Sequence, residues 1–322
     1  MNYKQNILEA IGNTPLIKLN KINYGLKPTI LVKLEYLNPG GSMKDRIGVT
    51  MIDEAEKKGL LQPGGTIVEP TSGNTGVGLA MVAAIRGYNM IFTMSEKMSR
   101  EKEDVLKAYG ATVVRAPADV EADDPRQYIN VAKKIADETP GAFMANQYHN
   151  AMNPSAHYQT TGPEIWKDTD GKITHYVAPM GTGGIISGTA RYLKEQNSKV
   201  KVLGIDPEGS LFYSYFYKTE GKLKAWKVEG PGEDFMPKAM DFSVIDEVIV
   251  VNDKDAFATG RRLVKEEGIF AGGSAGMTLF GALQAAKNLS ETDIMVVILP
   301  DSGRNYVSKM YNDAWMKEND LL

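Results

Sequence analysis

Val68-Glu69-Pro70-Thr71-Ser72-Gly73-Asn74-Thr75-Gly76 joins the end of a short apolar run to the start of a helical one. A glycine-rich turn in that place lets a ligand approach backbone N–H groups at the positive end of a helix dipole, which makes it an anion site. Two further loops have the same form. Gly181-Thr182-Gly183-Gly184 follows the run Tyr176-Val177-Ala178-Pro179, and Gly272-Gly273-Ser274-Ala275-Gly276 precedes a helical run from Met277 to Ala286. Any one of them could be a tight turn and nothing more. Three together, with Ser, Thr and Asn interleaved, point to a ligand with at least two anionic groups.

Working outward, β-branched and apolar runs recur at residues 29–34, 66–69, 90–94, 112–116, 175–179, 200–206, 248–251 and 294–300. Stretches of helical spacing separate them, such as Tyr128, Ala132 and Ile135. Gly59, Gly87 and Gly110 each follow a helical stretch, as a left-handed C-cap would. Asp124-Pro125 and Asn153-Pro154 resemble helix starts, a capping side chain before a proline. This alternation predicts an α/β fold with mostly parallel sheets flanked by helices. Residues 207–241 are irregular, and too long for an idle connector.

A dinucleotide site competes for the Gly181-Thr182-Gly183 loop, with Asp206 at the end of the next strand in the place of a ribose-binding acid. The third fingerprint position is Ile186, too large for the close helix–strand packing required. No Walker-type phosphate loop occurs. A second lead is Asn38-Pro39-Gly40-Gly41-Ser42-Met43-Lys44-Asp45-Arg46. A lysine at a helix start opposes the dipole, which favours the neutral amine that Schiff-base chemistry uses. The alternative is a solvated lysine paired with Asp45.

Composition removes whole classes of function. Glycine numbers 32 in 322 residues, above the average of about 7%. Cysteine is absent, so disulfides, thiol nucleophiles, zinc ribbons and iron–sulfur clusters are excluded. The only histidines are His149, His157 and His175, and no metal site is expected. A net charge of -3 gives no basic excess for nucleic acid. No secretory signal or membrane-length apolar run occurs, so a cytoplasmic protein without a membrane partner is expected. Val307, Tyr311 and Trp315 repeat at i, i+4, i+8, as packing or dimer contacts would.

Taken together, Gly12-Asn13-Thr14-Pro15-Leu16, the Lys44 segment and the three glycine loops resemble the fold-type II pyridoxal-phosphate enzymes, in family order across most of the chain. Within them the resemblance is to the β-replacing group of cystathionine β-synthase and O-acetylserine sulfhydrylase. Val228-Glu229-Gly230-Pro231-Gly232-Glu233-Asp234-Phe235 and Leu299-Pro300-Asp301-Ser302-Gly303-Arg304-Asn305-Tyr306 look more like the first. The resemblance implies a two-domain, tryptophan synthase β-subunit-like fold: a smaller domain at 41–150, and a larger one from 1–40 plus 151–322. It implies pyridoxal 5'-phosphate as cofactor, with Lys44 as Schiff-base lysine and carrier of the Cα proton. Gly181, Thr182, Gly183, Gly184 and Ile185 would cradle the phosphate, Asn74 would meet the ring hydroxyl, Ser274 the pyridine nitrogen, and Pro300 would lie against the cofactor. Thr71, Ser72, Gly73, Thr75 and Gln147 would bind the substrate carboxylate, with Tyr148 and Gly230 flanking the substrate.

The implied reaction is replacement at Cβ of serine, O-acetylserine or cysteine by a thiol or sulfide, foremost L-serine with L-homocysteine giving cystathionine in a homodimeric enzyme of cysteine biosynthesis. Two positions depart from the family's pattern. Ile185 stands where a phosphate-binding threonine is usual, and Glu233 where many relatives carry tyrosine. With Asp234, Glu233 could activate water, so that cysteine yields serine and hydrogen sulfide; equally, both acids could simply face solvent. A dehydrogenase, or a non-catalytic binding relative, remain the readings outside this class.

Overall fold

The computed structural model describes every residue except Asn2, Ser72, Lys97, Ser99 and Ala122. In chain order its strands are β1 (Leu16–Lys18), β2 (Thr29–Leu34), β3 (Thr66–Pro70), β4 (Asn89–Ser95), β5 (Thr112–Ala116), β6 (Ala142–Met144), β7 (His175–Pro179), β8 (Lys201–Pro207), β9 (Glu247–Val251) and β10 (Ile294–Leu299). Its helices are α1 (Lys44–Lys57), α2 (Asn74–Arg86), α3 (Arg100–Ala108), α4 (Tyr128–Glu138), α5 (Met152–Gln159), α6 (Thr161–Asp168), α7 (Gly184–Gln196), α8 (Phe212–Tyr217), α9 (Asp253–Glu267), α10 (Gly273–Ala286) and α11 (Asp313–Glu318).

The chain divides into two compact units, residues 1–11 with 38–153, and residues 12–37 with 154–322. The first eleven residues group with the smaller unit, rather than the larger as expected, because the 3-10 turn Ile7–Ala10 packs on α2. The smaller unit holds a four-stranded, wholly parallel sheet ordered β5-β4-β3-β6. The larger holds a six-stranded sheet ordered β1-β2-β10-β7-β8-β9, parallel except for β1, which pairs antiparallel with β2. The eight apolar runs of the sequence all appear as strands. Their unbroken apolar character follows from burial on both faces: Met295, Val296, Val297, Ile298 and Leu299 are all fully buried.

Several sequence expectations shift at helix boundaries. Asp124 does not open α4. Its carboxylate binds Arg126 instead, and Gln127 caps the helix by accepting the Ile129 N–H at 2.6 Å. Helix α5 starts before Asn153-Pro154, capped by Asn150, whose Oδ1 accepts the Met152 N–H at 2.9 Å. Helix α10 begins at Gly273 rather than Met277, so Ser274 lies in its first turn. Val307 is exposed outside any regular helix, whereas Trp315 packs edge-on against Phe257. Residues 207–241 contain the short aromatic helix α8.

The Gly12-Asn13-Thr14-Pro15 motif anchors the larger unit. The Asn13 N–H donates to Glu164 at 2.9 Å, and Thr14 Oγ1 donates to the buried Glu35 at 2.7 Å. Lys33 in β2 has no exposed surface. Its ammonium donates to the Thr14 carbonyl at 2.6 Å and pairs with Glu164 at 2.8 Å. A buried charge persists only with such partners.

Candidate active site

In the smaller unit, α1 and α2 touch through glycines. A Cβ on Gly48 would lie 2.6 Å from the Gly78 carbonyl carbon, and one on Gly78 would lie 2.6 Å from the Lys44 carbonyl oxygen. Only hydrogen at these two positions allows the backbones so close, and the approach sets Lys44 beside the first turn of α2. The Lys44 N–H donates to Ser42 Oγ at 3.1 Å. Its Nζ donates to Gln147 Oε1 at 3.2 Å. Asp45 is buried and accepts the Gly40 N–H at 2.6 Å.

The 71–76 loop is organised around Thr71. Its Oγ1 accepts the N–H groups of Gly73 and Gly76, both at 3.1 Å. Thr75 Oγ1 donates to Gln147 Oε1 at 2.7 Å. Lys44 and Thr75 thus converge on the Gln147 carboxamide oxygen, with Thr71, Gly73 and Asn74 in the same loop and helix start as Thr75. Tyr148 follows, half-buried. Ser72 lies outside the described residues.

Sequence reasoning passed over Glu69, the last acid before this loop. It is fully buried at the end of β3 and accepts the N–H groups of Asn146 (2.6 Å) and Gln147 (3.2 Å). Burial pushes its carboxyl up to about 7, against the opposing pull of those two hydrogen bonds and the Lys44 charge. A glutamate inside an apolar strand was the available signal.

In the larger unit, α7 begins at Gly184 behind Gly183, which has φ +90° and offers no side-chain cap. A Cβ on Gly183 would lie 2.5 Å from Met240 Cα, and one on Gly181 would lie 2.7 Å from the Gly230 carbonyl oxygen. These glycines let the Gly230 and Met240 backbones pack against the turn, which ends at a helix start suited to a phosphate. Thr182 is half-buried and Ile185 is buried. The Tyr176 hydroxyl donates to the Ile185 carbonyl at 3.1 Å, tying the first turn of α7 to β7. The Gly230 segment lies against this turn: the Gly232 N–H donates to the Met180 carbonyl at 2.7 Å.

Ser274 is buried, and its Oγ donates to Asp301 at 3.4 Å. Asp301, next to the buried Pro300, also accepts the Tyr306 hydroxyl at 2.6 Å and was likewise missed. Asp206, the acid of the dinucleotide alternative, is buried and accepts the Tyr213 N–H at 2.9 Å; burial raises its carboxyl to about 6. It is an anchor for α8. Glu233 is half-buried with its backbone held by Ser210, and Asp234 is exposed. His157 is buried against Thr161, and His149 is exposed. Among the described residues no cluster of His, Asp and Glu could hold a metal ion, and no helix is long and apolar enough to cross a membrane.

A lysine beside a small-polar loop in one unit, and a glycine turn at a helix start in the other, are each of a kind that a phosphate-bearing aldehyde cofactor uses. The pyridoxal-phosphate dependent enzyme family matches residues 7–301. The chain belongs to this family. Cystathionine beta-synthase of Oryctolagus cuniculus is 48% identical over 98% of this chain and 58% of that protein. The Saccharomyces cerevisiae protein of that name is 44% identical over 99% of this chain and 65% of its own length. The chain therefore spans less than two thirds of these relatives. Among solved structures, a hydrogen sulfide-producing enzyme from Fusobacterium nucleatum matches with a TM-score of 0.87 and 37% identity, covering 94% of this chain and all of that one. O-ureido-L-serine synthase matches at 0.89 and 35%, covering 98% of this chain and all of that one. The fold is that of the fold-type II pyridoxal-phosphate enzymes, and the cofactor is pyridoxal 5'-phosphate.

Proposed function

We propose that the chain catalyses β-replacement on a β-substituted L-amino acid, joining L-serine and L-homocysteine to give cystathionine. The observation that carries this reading is the convergence of Lys44 Nζ and Thr75 Oγ1 on Gln147 Oε1, at 3.2 and 2.7 Å. It sets an amine beside hydroxyl and amide groups suited to an α-carboxylate. The kinship with cystathionine beta-synthases supports the choice of substrates.

In this reading Lys44 carries the cofactor, Gly181, Thr182, Gly183, Gly184 and Ile185 hold its phosphate, Asn74 its ring hydroxyl and Ser274 its pyridine nitrogen, beside Pro300. Ile185 contributes its N–H alone, having no hydroxyl. When bound, pyridoxal phosphate supplies an electron sink for charge developing at Cα. Thr71, Ser72, Gly73, Thr75 and Gln147 bind the substrate carboxylate. This orients the Cα–H bond toward Lys44 Nζ, which takes that proton as general base and returns one at the end. Tyr148 and Gly230 take the role of flanking the substrate that the family resemblance implies. A neutral serine hydroxyl at the pyridine nitrogen leaves the ring a weaker sink than a carboxylate would, which favours elimination and replacement over transamination. A cytoplasmic homodimer completes this reading, as the family resemblance implies.

A second reading is cysteine with water, giving serine and hydrogen sulfide, with Glu233 and Asp234 handling the water. It is favoured by the likeness to the hydrogen sulfide-producing enzyme. Product analysis separates the two. The protein is incubated with serine, O-acetylserine or cysteine, each with and without homocysteine. Cystathionine from serine plus homocysteine is expected; sulfide and serine from cysteine alone, without cystathionine in any mixture, would replace it by the second reading.

A further inference from the structure

Glu69 closes an apolar strand and has 0% exposure. A buried carboxylate is retained only where donors converge on it. Here they are the N–H groups of two consecutive residues, Asn146 at 2.6 Å and Gln147 at 3.2 Å. Asn146 has φ +51°, a left-handed conformation that a non-glycine residue holds only when its surroundings enforce it. The turn so fixed continues into the Gln147 side chain, whose Oε1 accepts from both Thr75 Oγ1 and Lys44 Nζ. On the far side, Asn153 Nδ2 donates to the Gln147 carbonyl at 2.9 Å. The carboxamide is therefore set from behind, by a carboxylate that grips the main chain of its turn.

We propose that Glu69 is a positioning residue: its carboxylate clamps the 146–147 turn so that the Gln147 carboxamide meets Lys44 Nζ and Thr75 Oγ1, and so orients the lysine amine. The inference rests on the reading of Lys44 as the cofactor lysine, and the test distinguishes failure of either. Full-chain protein is stripped of cofactor with hydroxylamine and mixed with pyridoxal phosphate at pH 8. Covalent uptake, in which Lys44 Nζ bonds to the aldehyde carbon and the aldehyde oxygen leaves as water, is followed by its visible absorption band. Glu69→Gln deprives one of the two N–H groups of its acceptor, and uptake slows roughly tenfold, as for loss of one charge-assisted hydrogen bond. Gln147→Ala slows it comparably. Because Glu69 acts through Gln147, the double variant is no slower than Gln147→Ala alone. Glu69→Asp, which keeps two acceptor oxygens, regains part of the loss.

A double variant with multiplied effects overturns the proposal, as does Glu69→Gln with the uptake rate of the unaltered protein. A role in folding alone would lower the melting temperature without this coupling. Should Glu69→Gln fail to fold, Glu69→Asp combined with Gln147→Ala makes the same test, with multiplied effects again the contrary result. A Lys44→Ala variant that forms the same band would overturn the reading of Lys44 itself, and the proposal with it.

Discussion

Replacing Gly183 by alanine tests the phosphate cradle through two separable costs. At φ +90° an alanine is strained by about 1–2 kcal/mol. Its Cβ would also stand 2.5 Å from Met240 Cα and 2.6 Å from Met240 N, both backbone atoms that cannot swing aside. Overpacking of that kind costs about 1–3 kcal/mol. Together they give roughly 2–5 kcal/mol, which at about 2–4 °C per kcal/mol lowers the melting temperature by roughly 5–20 °C. Gly268 is the control within the same unit. It has φ +72° at the C-cap of α9, but nothing within 4 Å of its Cβ, so Gly268→Ala carries the strain alone. Thermal melts by circular dichroism, without added cofactor, compare the two. Pyridoxal phosphate titration then shows affinity falling at least roughly tenfold in Gly183→Ala, because the first turn of α7 is displaced, and unchanged in Gly268→Ala. Equal melting shifts and equal affinities would refute the reasoning.

The close approach of α1 and α2 predicts that Gly78→Ala pushes the Lys44 carbonyl away and slows cofactor uptake more than it lowers stability; uptake kinetics beside a thermal melt measure both, and normal uptake contradicts it. Lys33→Ala leaves Glu164 and the Thr14 carbonyl without their buried cation and should cost about 3–5 kcal/mol in denaturant unfolding, whereas a loss under about 1 kcal/mol contradicts it. Glu69 has its folded carboxyl raised from 4.5 to about 7, so the folded state holds the extra proton. Its contribution is complete below about 4.5 and is lost as pH rises to about 7, a fall of about 3 kcal/mol that Glu69→Gln should flatten; parallel stability–pH curves for the two proteins would contradict it. Tyr306→Phe removes the hydroxyl from Asp301 and should cost about 1–3 kcal/mol in the same unfolding assay, with an unchanged midpoint counting against it.

The legible parts of the fold were those written locally. Parallel strands buried on both faces, such as Ile294–Leu299, need continuous apolar runs, and Gly59, Gly87 and Gly110 do sit at positive φ where helices end. Strands β1 and β6 span three residues each and carry no readable period, so only pairing with β2 and β3 reveals them. Helix starts misled where a side chain had a nearer partner, as Asp124 does in Arg126. Lys44 and the glycine loops were visible in the sequence as turns of glycine, serine and threonine that recur beside helix starts. Glu69, Asp301 and Lys33 were not, because their meaning lies in partners far along the chain: Gln147 for the first, Ser274 for the second and Glu164 for the third.

The central claim is that Lys44 carries the cofactor. Holoprotein reduced with borohydride, digested and mapped by mass spectrometry should show a pyridoxyl group on the peptide containing Lys44 and on no other lysine. The group on a different lysine, or no covalent adduct after reduction, would contradict the account.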